Sequence, residues 1–236
     1  QFTTNIDYYI PNRYNDGYGV SYKGVDYAKD TGVKLVIVLD CGVKAVDEIA
    51  YAKELGIDFI VCDHHVQDEV LPPAVAILNP KLIGSHYPYP HLSGCGVGFK
   101  LMQAFAKDNG IEFSQLIPYL DLVAVSIASD IVPIMGENRI LAYHGLRQLN
   151  HNPSTGLQAI IEVCGLRNKE IKINDIIFKI GPRINASGAK RIRTHFFCGR
   201  CCYKHIFVCD FSNSIFIKNS IASNNNRIDR KRFLAT

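Results

Sequence analysis

An α/β domain with a mainly parallel sheet and flanking helices, followed by a helical region, is the fold class the sequence predicts. Three observations carry this. Leu35-Val36-Ile37-Val38-Leu39 and Ile57-Asp58-Phe59-Ile60-Val61-Cys62 are short apolar, β-favouring runs, a stretch with helical spacing separates them, and the middle third of the chain repeats at helical spacing. Strand, helix and strand within about 30 residues make a βαβ unit, which requires parallel strands and a right-handed crossover. The expected sheet is therefore Rossmann-like.

Five consecutive apolar residues at Leu35–Leu39, closed by Asp40-Cys41-Gly42, suit a strand buried on both faces. In the helix that follows, Ala45, Ile49 and Ala52 recur at helical spacing, Asp47 and Glu48 occupy the first turn, where the helix dipole favours anions, and Gly56 stops it. The second apolar run closes at Asp63-His64-His65, and a third, Ala74–Leu78, precedes Asn79-Pro80. From Gly98 the pattern is helical, with Leu101, Met102 and Phe105 on one face and Asn109-Gly110 as the stop. Ser114 is a candidate cap for the next helix, which runs through Leu116, Leu120, Val123 and Ile127 to Asp130 and is apolar almost all round, as a buried helix is. Helices are expected over 137–150 and 154–164, a strand over Ile176–Ile180, and a loop at Gly181-Pro182-Arg183-Ile184-Asn185-Ala186-Ser187-Gly188. The reading divides the chain into an α/β domain at 1–134, a helical connecting region with a phosphate-contacting loop at 135–188, and a tail at 189–236.

Hydrophobic residues at 47% and charged residues at 20% of 236 exclude disordered, collagenous and coiled-coil classes. No apolar run approaches the roughly 18 residues of a membrane span. The net charge of +4 belongs to the tail, which holds ten Lys and Arg against two Asp, leaving sixteen against twenty elsewhere. Cys41, Cys62, Cys95 and Cys164 are too scattered for a disulfide framework and read as reduced cytoplasmic thiols. Gln1-Phe2-Thr3-Thr4 resembles neither a signal nor a transit peptide, and without an initiator Met the chain is expected to begin inside a longer gene product. In the tail, Cys198, Cys201, Cys202 and Cys209 crowd together and all periodicity is lost. A translated frameshift is the expected origin; a zinc module and a nucleic-acid-binding arm are the rival readings.

In an open parallel sheet, ligands bind beyond the carboxyl ends of the strands. Asp40 and Asp63-His64-His65 close two such strands, so carboxylates and imidazoles face one crevice, a donor set for a divalent cation such as manganese, whereas an all-oxygen set suits magnesium. Capping and surface hydrogen bonding are the structural alternatives. Asp130 ends an apolar helix, where a charge must be solvated, paired or metal-bound. Ser93-Gly94-Cys95-Gly96-Val97-Gly98 opens a helix and offers N–H groups to a phosphate; Arg183 offers a bidentate contact, with Asn185 and Ser187 beside it.

These segments, with Ile10-Pro11-Asn12-Arg13-Tyr14-Asn15-Asp16-Gly17-Tyr18-Gly19 and Ser129-Asp130-Ile131-Val132-Pro133, occur in the order of the DHH phosphoesterases, which the chain resembles over about residues 6–188. Within them it is similar to the bacterial single-strand-specific 5′–3′ DNA exonucleases of repair and recombination rather than the pyrophosphatases. The resemblance implies metal-dependent hydrolysis with manganese or magnesium. It makes Asp40, His64 and Asp130 ligands with Asp63 at the metal centre, and sets His65 and Arg183 on the scissile phosphate. Ser93, Gly94, Gly96, Asn185 and Ser187 then contact phosphate or DNA. It further implies a cytoplasmic monomer acting on single-stranded DNA beside helicases or single-strand-binding proteins. The family carries an Asp-x-Asp pair on a strand preceding Ile6 and a further domain after Gly188, and the sequence matches neither. Two alternatives stay open: a phosphoesterase for short oligonucleotides or cyclic dinucleotides, and an inactive fragment that binds metal and phosphate.

Overall fold

The computed structural model describes residues 6–9, 11, 16–189 and 213–217, with backbone only for 187–189 and 213–217. The expectations for the rest of the tail lie outside these residues. The chain forms two compact units, 1–86 with 212–236, and 87–211, so residues 87–134 group with the helices that follow them.

The first unit contains β1 (Ile6–Tyr9), α1 (Tyr22–Asp30), β2 (Leu35–Leu39), α2 (Val46–Glu54), β3 (Asp58–Cys62), β4 (Ala76–Leu78) and β5 (Asn213–Ile217). Its sheet has the order β1-β5-β2-β3-β4. β2, β3 and β4 pair in parallel, with Val36 opposite Phe59 and Leu39 opposite Cys62, while β5 runs antiparallel to both its neighbours. α1 starts where the Ser21 hydroxyl accepts the Gly24 N–H at 3.2 Å. Val36 and Val38 of β2 with Phe59 and Val61 of β3 form the core floor, closed by Val25 and Ala28 of α1 and Ile49 and Ala52 of α2. Burying each of the larger side chains contributes about 1.5–3 kcal/mol relative to exposure. β3 is buried on both faces, but β2 is not as expected: it alternates, with Leu35, Ile37 and Leu39 only half-buried.

The second unit is helical: α3 (Gly94–Asp108), two 3-10 turns (Phe113–Gln115 and Ile117–Tyr119), α4 (Leu120–Ser129), α5 (Gly136–His151), α6 (Thr155–Val163), α7 (Ile173–Asp175), a π-helical turn (Ile176–Ile180) and α8 (Gly181–Ala189). Two expectations fail here. The buried helix starts at Leu120 rather than beside Ser114, because Pro118 has no N–H to give an α-helix interior and the approach is made in 3-10 turns. The expected strand and loop over 176–188 are helical. Ile176 and Ile180, four apart, are both fully buried while Phe178 between them is 73% exposed, the opposite of strand alternation. Pro182 is tolerated because it falls in the first turn after the π-helical turn. α4 is buried from Leu120 to Ala128, and its Asp121 carboxylate, 0% exposed, accepts the Ser154 N–H at 2.7 Å and so ties α4 to the start of α6.

Candidate metal centre

The parallel register that sets Leu39 beside Cys62 makes the carboxyl ends of β2 and β3 level, so Asp40 and Asp63 leave the sheet side by side. The Asp40 N–H extends the ladder by donating to the Cys62 carbonyl at 2.8 Å. The chain then turns abruptly: Asp40 sits at φ 63° and Gly42 at φ 104°. A Cβ on Gly42 would lie 3.3 and 3.4 Å from methyls of Val38 and Val61, so glycine suits both the dihedral and the space. Left-handed backbone at an aspartate costs about 1–2 kcal/mol and marks a position held by its surroundings.

That turn aims the carboxylate. Asp40 Oδ1 lies 3.0 Å from His64 Nε2. Although close, the pair does not have hydrogen-bonding geometry, and Oδ1 is buried with no hydrogen-bond partner. The carboxylate oxygen and the imidazole nitrogen thus face each other at the sheet end without a hydrogen bond between them. His65 stands edge-on to His64, ring centroids 4.7 Å apart. Ligand atoms of Asp40, His64 and His65 all lie within 4.8 Å of one another, the one such group among the described residues.

Asp63 has a different task. Its Oδ1 accepts the His64 N–H at 2.7 Å, the His65 N–H at 3.2 Å and His65 Nδ1 at 2.6 Å, and its Oδ2 accepts the Val43 N–H at 2.9 Å. With both oxygens occupied and the residue 1% exposed, Asp63 is spent on folding the loop and on orienting His65. A proton on Nδ1 leaves the His65 Nε2 lone pair outward, the carboxylate–histidine arrangement common behind metal ligands. Burial, then the charge of Asp63, pushes the Cys62 thiol up to about 12, and burial, then Asp63 and Asp40, raises Cys41 further. Neither thiol is among the clustered ligand atoms, so the group that gathers here offers carboxylate oxygen and imidazole nitrogen.

Sequence reasoning missed three supports. The Tyr18 hydroxyl reaches the Asp40 carbonyl at 3.4 Å, the Val43 N–H holds Asp63, and the Asn79 amide donates to the His65 carbonyl at 2.8 Å. Only Asn79 had a visible signal, a buried-strand terminus at Asn79-Pro80.

The other candidate residues belong to the second unit. Asp130 is the C-cap of α4, takes the Ser126 hydroxyl at 3.3 Å, and precedes Ile131 at φ 55°, a strained position for a β-branched residue. The Ser93 hydroxyl caps α3 by accepting the Gly96 N–H at 3.2 Å, and Ser93, Gly94 and Gly96 are buried. Exposed Arg183 donates to the Lys179 carbonyl at 3.0 Å. In α8, Asn185 lies nearly opposite Arg183 around the helix, so the two do not share a face.

A mainly parallel sheet that ends in clustered carboxylate and imidazole groups defines an α/β protein with a candidate cation site. The DHH family, N-terminal domain, matches residues 1–127, and the chain belongs to that family. It is 40% identical over 194 residues to the single-stranded-DNA-specific exonuclease RecJ of Salmonella typhimurium, a match covering 78% of this chain and 34% of that protein. To RecJ of Bacillus subtilis it is 37% identical, over 80% of this chain and 23% of the relative. A crystal structure of exonuclease RecJ bound to manganese superposes with a TM-score of 0.64 at 31% identity, over 76% of this chain and 44% of that one. The chain thus spans about a third of the length of its Salmonella relative.

Proposed function

We propose that this chain carries the metal centre of a RecJ-like exonuclease that hydrolyses single-stranded DNA from its 5′ end. One observation supports the reading most: Asp40 Oδ1, buried and without a hydrogen bond, facing His64 Nε2. A buried carboxylate oxygen left so is costly unless a cation completes it.

The donor set fits. Asp40 and His64 would hold the ion, one carboxylate with imidazole nitrogen and no thiolate, which suits manganese better than magnesium. A divalent cation bound there supplies Lewis acidity and acidifies a bound water. The protein's own residues do the rest. Asp63 fixes the His65 tautomer so that Nε2 can meet the cation or the scissile phosphate. Asp130 is proposed as a further carboxylate ligand, supported by its motif and by the strained Ile131 after it. Arg183 would stabilise charge on the phosphate, with Ser93, Gly94, Gly96, Asn185 and Ser187 as DNA contacts; their motif positions support this. Groove binding of single strands tolerates sequence, as stacking and backbone contacts do.

We further infer a cytoplasmic monomer in repair and recombination, alongside helicases or single-strand-binding proteins. The free thiols Cys41, Cys62, Cys95 and Cys164 agree with a reducing compartment. Among the described residues, no helix is long and apolar enough to cross a membrane.

The test is digestion of 5′-labelled single-stranded DNA with manganese, beside duplex DNA and a dinucleotide. Release of 5′ mononucleotides from single strands alone is expected. Preference for the dinucleotide moves the chain to the short-oligonucleotide branch, and no cleavage of any substrate with manganese bound overturns the hydrolytic reading.

A further inference from the structure

We propose that Asn138, in the first turn of α5, is a positioning residue for Asp130: its buried amide ties the loop that follows Asp130 to the segment that leads into α3. The inference deepens the function proposed above and rests on its reading of Asp130 as a metal ligand.

The loop needs such a hold. Asp130 closes α4, and the chain leaves it through Ile131 at φ 55°, a left-handed conformation that is costly for a β-branched residue. Strain of this kind persists only where the surroundings over-determine it. Burial does little of that here. Ile131 and Met135 are 77% and 66% exposed, and from Ile131 to Gly136 every residue but the half-buried Val132 is exposed. Hydrogen bonds hold the loop instead. The Pro133 carbonyl accepts from Asn138 Nδ2 at 3.0 Å and from the Tyr89 hydroxyl at 2.9 Å, one donor for each lone pair.

Asn138 joins two segments. It is 0% exposed, and its Nδ2 also donates to the His91 carbonyl at 2.6 Å. Two carbonyl acceptors fix which way the amide faces, because only its NH2 group can donate to both. Its Oδ1 is then buried without a hydrogen-bond partner, which is costly. An apolar residue of the same outline would avoid that cost. What the amide adds is a fixed separation between the His91 and Pro133 carbonyls. His91 lies two residues before Ser93, the cap of α3, and Pro133 three after Asp130, so the clamp sets the carboxylate against the turn proposed to contact phosphate. The neighbours of Asn138 brace it. Glu137 accepts from Lys100 Nζ at 2.8 Å and from the Tyr87 hydroxyl at 2.6 Å, and Gly136 has no Cβ to collide with the Tyr89 ring, which would lie 2.6 Å away.

The experiment titrates the full chain with manganese by electron paramagnetic resonance, beside metal-free urea midpoints. Asn138→Leu keeps the branched outline and removes both donors, while Tyr89→Phe keeps the ring on Gly136 and removes one. Asn138→Leu is expected to weaken manganese binding by about tenfold, the low end for groups behind a ligand, and Tyr89→Phe by less. Asn150→Leu is the matched control. That amide, on the same helix, holds the Ile171 N–H at 2.8 Å and the Ile171 carbonyl at 3.0 Å, so its loss should lower the urea midpoint and leave manganese affinity alone. The decisive arm repeats Asn138→Leu in Asp130→Ala. If Asn138 acts through that carboxylate, no further affinity is lost there, whereas the drop in urea midpoint persists in both backgrounds. Should Asn138→Leu not fold, Tyr89→Phe carries the same cycle. Asp130→Ala binding manganese like the parent removes the ligand reading and the proposal with it. A loss in Asp130→Ala beside unchanged affinity in the Asn138 and Tyr89 variants overturns the proposal alone. So does an equal further loss in the double variant, or a loss in Asn150→Leu as large as in Asn138→Leu.

Discussion

Asp63 Oδ1 and His65 Nδ1 meet at 2.6 Å, and the same oxygen collects the N–H groups of His64 and His65. One carboxylate therefore shapes the loop and sets the tautomer of its exposed imidazole. Asp63→Asn replaces an acceptor by a donor against either Val43 N–H or His65 Nδ1. Manganese affinity is expected to fall by about 10–100-fold, the usual loss when the partner behind a ligand is removed. The orphaned N–H should also lower stability by about 1–3 kcal/mol. Calorimetric titration and urea melts read the two effects, and unchanged affinity would show that Asp63 orients nothing the metal needs.

Asp40 separates strain from ligation. Asn tolerates its φ of 63° and has the same shape but no charge. Asp40→Asn should therefore abolish manganese binding while raising the metal-free melting midpoint, because a buried carboxylate whose Oδ1 makes no hydrogen bond is replaced by a neutral amide. Asp40→Ala loses the metal as well, but the left-handed turn should cost it about 1–2 kcal/mol. Manganese electron paramagnetic resonance with metal-free melts checks both, and an Asn variant that binds like the parent removes Asp40 from the ligand set.

Much of this centre was legible because its signals are local. β3 and β4 are apolar runs with hard stops, and polar residues at their carboxyl ends must share a crevice once the strands are parallel. α5 and α6 matched their periodicity for the same reason. What failed depends on distant partners. β1 and β5 pair with each other from opposite ends of the chain, so neither has a local signature. α1 carries little apolar signal, with Val25 and Ala28 among Lys23, Asp26, Lys29 and Asp30. Ile176–Ile180 is β-branched and reads as strand, and only the burial of Ile176 and Ile180 against the helices decides otherwise. The role of Asp63 was unreadable since it turns on a backbone N–H at Val43, twenty residues upstream.

Gly145 sets how closely α5 crosses α4. A Cβ there would overlap the Leu120 carbonyl oxygen and lie 2.6 Å from Ala124 Cβ, so the helices pack through bare backbone. Gly145→Ala gains about 1 kcal/mol of helix propensity, but the overlap forces the helices apart at a cost of about 1–3 kcal/mol. Net destabilisation is expected, whereas His144→Ala on the exposed face of α5 should be neutral or slightly stabilising. Denaturant midpoints decide, and a Gly145→Ala variant as stable as the parent would mean that the crossing has slack.

Tyr87 gives the helical unit an alkaline limit. Burial, then its hydrogen bond to Glu137 and the charge of that carboxylate, raises the Tyr87 hydroxyl above its ordinary value of 10.0. The unfolded chain releases this proton near that ordinary value while the folded chain keeps it. Above that pH the unfolded state binds fewer protons, and stability falls as pH rises. Below pH about 10 the contribution is complete. Tyr87→Phe is expected to flatten the decline in melting midpoint above that pH, and to remove the latest-ionising step from the phenolate absorbance titration. A decline of unchanged slope in the Phe variant would place the alkaline limit elsewhere.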